Sequence, residues 1–159
     1  EKAGIIKAGV PLVCGNLVRE AVEVIQARAK ELACPTLVLG KDFLVETLRS
    51  DDQGRPSIDY RLEGLELNNL AVPLAGPHQA DNAAVALTLA WVLNGLGFSV
   101  TEEHFRSGLA EAQWPGRAER FAAGSWPPEG SVAKAPLILD GAHNPAGAQA
   151  LAAMLETVP

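Results

Sequence analysis

Basic residues are in the minority in this chain. Thirteen lysines and arginines face 19 aspartates and glutamates, for a formal net charge of −6. Phosphate-rich partners select basic surfaces, so this balance gives no general attraction to nucleic acid or to an acidic membrane. Cysteine is scarce as well. Cys14 and Cys34 sit in the apolar stretches PLVCGN and ELACPT. They read as buried thiols of a cytoplasmic protein in a reducing compartment, not as a disulfide or a metal site. No apolar run approaches the roughly 20 residues that span a bilayer. The opening EKAGIIKAGV has no apolar core or small-residue cleavage site, so it is not a signal peptide. It also lacks an initiator methionine, and the closing AMLETVP stops where a helix would hand over to a strand. The expectation is an internal piece of a longer protein. The chain has no G-x-x-x-x-G-K-S/T phosphate loop, no HExxH, no CxxC and no nucleophile elbow. Nothing in it cradles a triphosphate unaided. Internal repeats and low-complexity tracts are absent too.

What is present supports a folded core. Of the 159 residues 48% are hydrophobic and 20% charged, enough for one domain or one and a piece. VPLVC at 10–14 predicts a buried strand, and Gly15-Asn16 breaks it, with Asn16 placed to cap the next helix. Val18, Val22, Ile25, Ala29 and Leu32 form one stripe of that helix, over 17–33. After Pro35, residues 36–39 predict a second strand. Strand, helix, strand is a βαβ unit with a parallel pair. Residues 40–56 look polar and irregular, with a turn at 50–54. Alternation over 57–74 predicts two or three antiparallel strands joined through Gly64 and Asn68-Asn69. Residues 81–95 predict a helix buried on nearly every face. Thr101 opens another, with Glu102 and Glu103 at its positive end, running to about Gln113. Trp114-Pro115-Gly116 marks a boundary. A loose stretch over 124–135 leads to a buried strand at 136–140. A tight turn then leads to a helix that starts at Pro145 and carries Leu151 and Leu155 on one face.

Three constellations could carry chemistry. Asp140-Gly141-Ala142-His143-Asn144-Pro145 joins the last strand to the last helix. Ligands of parallel α/β sheets sit off such strand ends, where Asp140 could meet ribose hydroxyls and His143 a substrate or nucleotide. A plain turn held by Asp140 and Asn144 explains the same residues equally well. In Gly76-Pro77-His78-Gln79-Ala80-Asp81-Asn82, the Asn82 amide offers the donor and acceptor that match an adenine edge. An asparagine in a first helical turn is also a common cap. Arg117, beside the Pro115-Gly116 junction, could deliver positive charge to a phosphate, or lie solvated at a hinge. His78 alone has no second metal ligand at helical spacing. Glu1-Lys2 alone is a charged lead-in.

Together, EKAGIIKAG at 1–9, PLAGPHQADNAAVAL at 73–87, WPGRAER at 114–120 and ILDGAHNPAGA at 138–148 resemble the Mur ligase superfamily. The likeness is closest to its folate branch, the bifunctional dihydrofolate synthase/folylpolyglutamate synthases. The resemblance implies an α/β fold. Residues 1–113 would be the C-terminal part of a P-loop central domain, 114–116 a hinge, and 117–159 the first strand and helix of a Rossmann-like C-terminal domain. It implies ATP and Mg2+ as cofactors. Glutamate and dihydropteroate or folate would be the substrates, joined through an acyl phosphate. By resemblance Lys2 is the lysine that carbon dioxide carbamylates, turning a cation into an oxygen ligand able to support magnesium. Asn82 is then the adenine contact, Arg117 the phosphate contact, Asp140 the ribose contact and His143 a neighbouring active-site residue. The phosphate loop would precede Glu1, leaving the piece inactive alone, with edges free to self-associate. A peptidoglycan-type amino-acid ligase and a non-catalytic nucleotide-binding module are the alternatives.

Overall fold

The computed structural model describes residues 2–125 and 135–156. A short 3-10 turn, Lys2–Ile5, leads into strand β1 (Leu12–Cys14). Helix α1 (Arg19–Glu31) and strand β2 (Thr36–Val38) come next. β1 and β2 pair in parallel, Leu12 with Thr36 and Cys14 with Val38, which is the βαβ unit the pattern predicts. Asn16 does not cap α1. The N-cap is Val18, with no side-chain bond, and the Asn16 amide instead donates to Asp81 Oδ2 at 3.3 Å. The α1 stripe is only partly covered: Ala29 is buried, whereas Val18 is 70% exposed.

The polar stretch after Gly40 holds a strand that alternation did not reveal. β3 (Phe43–Ser50) pairs antiparallel with β4 (Pro56–Leu62), which pairs antiparallel with β5 (Leu65–Ala71). β3 is an edge strand, mostly exposed beyond Phe43, so its sequence has little need of an apolar face. The turn between β3 and β4 is held by Asp51, whose carboxylate accepts the Gln53 and Arg55 backbone N–H groups and the Arg55 Nε. Asn68 and Asn69 do not join two strands. They lie inside β5, where Asn69 takes φ +54° at a register irregularity; asparagine tolerates that left-handed geometry.

Helix α2 (His78–Gly95) crosses this sheet. Ala80, Ala83, Ala84, Leu87 and Thr88 recur at helical spacing and face Phe43, Ile58, Tyr60 and Leu67 in the core. The small residues let the helix backbone approach the sheet. Its outer face is open, with Leu89 and Leu93 exposed, so it is not buried all round as its composition suggests. Tyr60 carries a polar link across this core. Thr88 donates its hydroxyl to Ala84 O at 2.8 Å, which leaves Tyr60 to donate to Thr88 Oγ1 at 2.8 Å. Helix α3 (Glu102–Ala110) starts with a capping box between Thr101 and His104 and buries Phe105.

After the 114–118 turn, β6 (Glu119–Phe121) pairs antiparallel with β7 (Leu137–Leu139). The sequence pattern missed β6, a three-residue strand with two charges. α4 (Pro145–Glu156) is capped by Asn144, whose Oδ1 accepts the Gly147 N–H at 2.9 Å. Met154, not Leu155, is its buried anchor. Much of the loose stretch expected over 124–135 lies outside the described residues.

Candidate functional site

The first turn of α2 begins on a backbone only glycine holds easily. Gly76 has φ +113°, donates its N–H to Gly54 O at 2.9 Å, and has the His78 ring directly beside it. A Cβ at residue 76 would lie 2.7 Å from His78 Cε1. α2 has no side-chain cap, so Asn82 is not spent on capping. Instead Asn82 Nδ2 donates to Gln79 Oε1 at 3.0 Å, and Gln79 Nε2 meets His78 Nε2 at 3.2 Å. Gln79 is 5% exposed. Asn82 keeps its Oδ1 and one N–H for a partner.

That amide lines a cavity of about 410 Å³, a size typical of small-molecule sites. Its walls are Val72–Leu74, the first two turns of α2, Leu109 and Ala112 at the end of α3, and Trp114 with Arg117 beyond. The lining is largely apolar, with the polar groups confined to His78, Gln79, Asn82 and Arg117. Trp114, 64% exposed, is a flat face available for stacking. A second cavity of about 360 Å³ shares Trp114 and Arg117 and adds Arg55, Glu119 and Arg120. Arg117 is exposed and, among the described residues, has no ion-pair partner. Burial holds the His78 imidazole below its ordinary pKa, with Asp140 pulling it up, Arg117 pushing it down and Asp81 pulling it up.

Asp140 and His143 stand apart from the cavity lining. Asp140 Oδ2 accepts the Ala118 N–H at 2.9 Å and Oδ1 accepts the Ala142 N–H at 2.8 Å. The Gly141 N–H reaches Gly116 O at 2.8 Å. The turn carrying Arg117 is thereby clasped to the turn carrying Asp140, with one lone pair left on each carboxylate oxygen. His143 is exposed, and its Nδ1 donates to Gly141 O at 2.8 Å, which leaves Nε2 as an acceptor. The structure therefore brings Asn82 and Arg117 to one cavity and places Asp140 and His143 on the neighbouring turn. The Lys2 side chain lies outside the described part of the chain. Among the described residues no three His, Cys, Asp or Glu side chains converge as a metal site. Cys14 is buried, which pushes its thiol pKa up, and Cys34 is half-buried, its Sγ 3.1 Å from Lys7 O; both are free. Sequence reasoning passed over Trp114, His78 and Gln79 as working residues, although all three stand in the motifs that carry the family resemblance.

No protein-family model matches the chain. Curated relatives do. A folylpolyglutamate synthase of Lacticaseibacillus casei is 34% identical over 98% of the chain. A dihydrofolate synthase/folylpolyglutamate synthase of Bacillus subtilis is 34% identical over 96%. A solved FPGS–AMPPCP–folate complex superposes with a TM-score of 0.83 at 31% identity, over 98% of the chain. The chain is a homologue of the folate-branch Mur ligases. It spans about a third of their length: 34% and 33% of the two curated relatives and 35% of the solved chain. Its α/β architecture is a part of the fold of these ligases. No helix among the described residues is long and apolar enough to cross a membrane.

Proposed function

We propose that the chain forms the adenine-holding side of an ATP-dependent ligase that adds L-glutamate to dihydropteroate or to a (poly)glutamyl tetrahydrofolate. The observation that carries this is the cavity where the Asn82 donor–acceptor pair, the Trp114 face and the unpaired Arg117 meet. An adenine amidine edge takes one hydrogen bond and gives one, which matches Asn82. Arg117 supplies charge on the side where phosphates would leave the base. Asp140, with its remaining lone pairs, and His143, with its free Nε2, are the proposed ribose and substrate contacts on the adjoining turn. Residues 1–113 belong in this reading to the central domain, 114–116 to the hinge and 117–159 to the closing domain. The clasp between residues 116–118 and 140–142 makes Arg117 move with the second part.

In the reaction, the terminal phosphoryl group of ATP passes to the carboxylate of the folate substrate. The amine of glutamate then attacks the acyl phosphate, an amide forms and phosphate leaves. A relative solved with AMPPCP and folate supports this substrate pair. Magnesium is the expected metal of such a step, but the described residues offer no cluster of donor side chains for it, and apart from Lys2 none of the roles given to this chain involves it. Lys2 as a carbamate remains the one proposed contact. The exposed Val18, Leu96 and Phe98 support self-association of the isolated chain through unpartnered faces.

The full-length product of the reading frame that encodes this chain, assayed with dihydropteroate and with tetrahydrofolate, tests the proposal. ATP-dependent incorporation of labelled glutamate into either is expected, and the 159-residue chain alone should form no amide. Incorporation into neither substrate, by a full-length protein shown to be folded, would refute the ligase reading.

A further inference from the structure

Three side chains at the head of α2 form a hydrogen-bonded relay in which the orientation of each amide fixes that of the next. Gln79 Oε1 accepts from Asn82 Nδ2. The other end of the same amide, Gln79 Nε2, carries only hydrogens, so it must donate to whatever it meets. It meets His78 Nε2 at 3.2 Å. In this orientation of the Gln79 amide that ring nitrogen is unprotonated, and the imidazole is neutral with its hydrogen on Nδ1. Nδ1 is buried and has no hydrogen-bond partner, an arrangement rare in folded proteins unless something else requires it. The tautomer is set here by the network and not by the hydrogen position itself.

We infer that His78 is a positioning residue: through Gln79 it fixes which way round Asn82 presents its amide to the cavity. With His78 neutral at Nε2, the outward edge of Asn82 shows one acceptor and one donor. If the imidazole gains a proton on Nε2, two donors face each other and Gln79 must turn over. Asn82 must then turn as well, so that the acceptor and donor on its outward edge exchange places. A base edge held in one orientation matches the order of donor and acceptor in the first arrangement and not in the second. The tight fit against Gly76, where a Cβ would come within 3.0 Å of Nδ1, holds the ring in place. The charged groups facing the ring are Asp81 on α2, Arg117 on the turn before β6 and Asp140 after β7. Burial outweighs the two carboxylates and keeps the ring neutral at neutral pH. The purpose of the relay rests on the adenine reading; its existence does not.

The test uses the whole 159-residue chain labelled with 15N. Long-range imidazole spectra at neutral pH should show His78 protonated on Nδ1 and bare on Nε2. On acidification, the side-chain NH2 signals of Gln79 and Asn82 should shift with the same midpoint as the His78 ring, below 6.5. In His78→Phe, the Asn82 signal should become independent of pH across that window while the backbone spectrum beyond the first turn of α2 is kept. An Nε2–H tautomer, or an Asn82 amide that ignores the His78 titration, would overturn the relay. If the substituted chain does not fold, the titration of the unsubstituted chain decides alone. Addition of ADP separates the two readings. Amides that track His78 but do not respond to ADP uphold the relay and count against the adenine site.

Discussion

At the residue scale the core depends on one directed pair of hydrogen bonds. Tyr60 donates to Thr88, and Thr88 donates to a carbonyl one turn back. Both side chains are fully buried. Tyr60→Phe would leave the Thr88 acceptor without a donor in a dry environment. The expected loss is about 1–2 kcal/mol of stability, read as a lower urea midpoint at unchanged slope. Asn82 is the corresponding residue of the site. Asn82→Ala in the full-length ligase should raise the KM for ATP by about 5- to 150-fold, the worth of a good two-point contact to a base, with little change for the folate substrate. A steady-state titration of each substrate distinguishes these. Equal effects on both would mean that Asn82 holds the fold and not the nucleotide. That Asn82 offers a donor and an acceptor was legible from residue chemistry, whereas its proposed pairing with adenine came from the family resemblance. The roles of Gln79 and His78 were not, because their bonds depend on which side of α2 each residue occupies.

At the scale of elements, the clasp between the two turns carries most weight. The Asp140 carboxylate binds Ala118 and Ala142 through separate oxygens. Asp140→Asn keeps the shape but substitutes an NH2 for one acceptor, so one backbone N–H loses its partner. A loss of about 1–3 kcal/mol is expected for this charge-assisted pair. Amide exchange should accelerate at Ala118 or Ala142, and unchanged protection at both would deny the clasp. The last strand–turn–helix was readable because Asn144 and Pro145 are strong start signals for α4. The βαβ unit was readable because β1 and β2 are continuous apolar runs. β3 and β6 were not. One is an exposed edge strand with little need of an apolar face, and the other is three residues long and pairs with a strand some way along the chain, Glu119 opposite Leu139. Asn16 was misassigned for a related reason: a residue 65 positions away, Asp81, competes for its amide.

At the scale of the molecule, protonation links the site to stability. The folded chain holds His78 below its ordinary pKa, so the unfolded chain binds the proton more readily. Stability is therefore greatest above about 6.5 and falls as the pH drops from there towards the folded-state value. Urea midpoints measured down this window should decline, and His78→Phe should flatten the decline; an equal decline in both would assign it to other groups. Length sets the limits on function. A chain that spans about a third of its relatives presents the proposed adenine pocket without a phosphate loop, so its own nucleotide affinity should be weak and independent of magnesium. The most direct measurement is a titration of the 15N-labelled chain with ADP and, in parallel, GDP at millimolar concentration. The account predicts that ADP moves the Asn82 side-chain amide and the Trp114 indole N–H while GDP leaves both in place. Equal shifts with GDP, or no shift at either group with ADP, would contradict it.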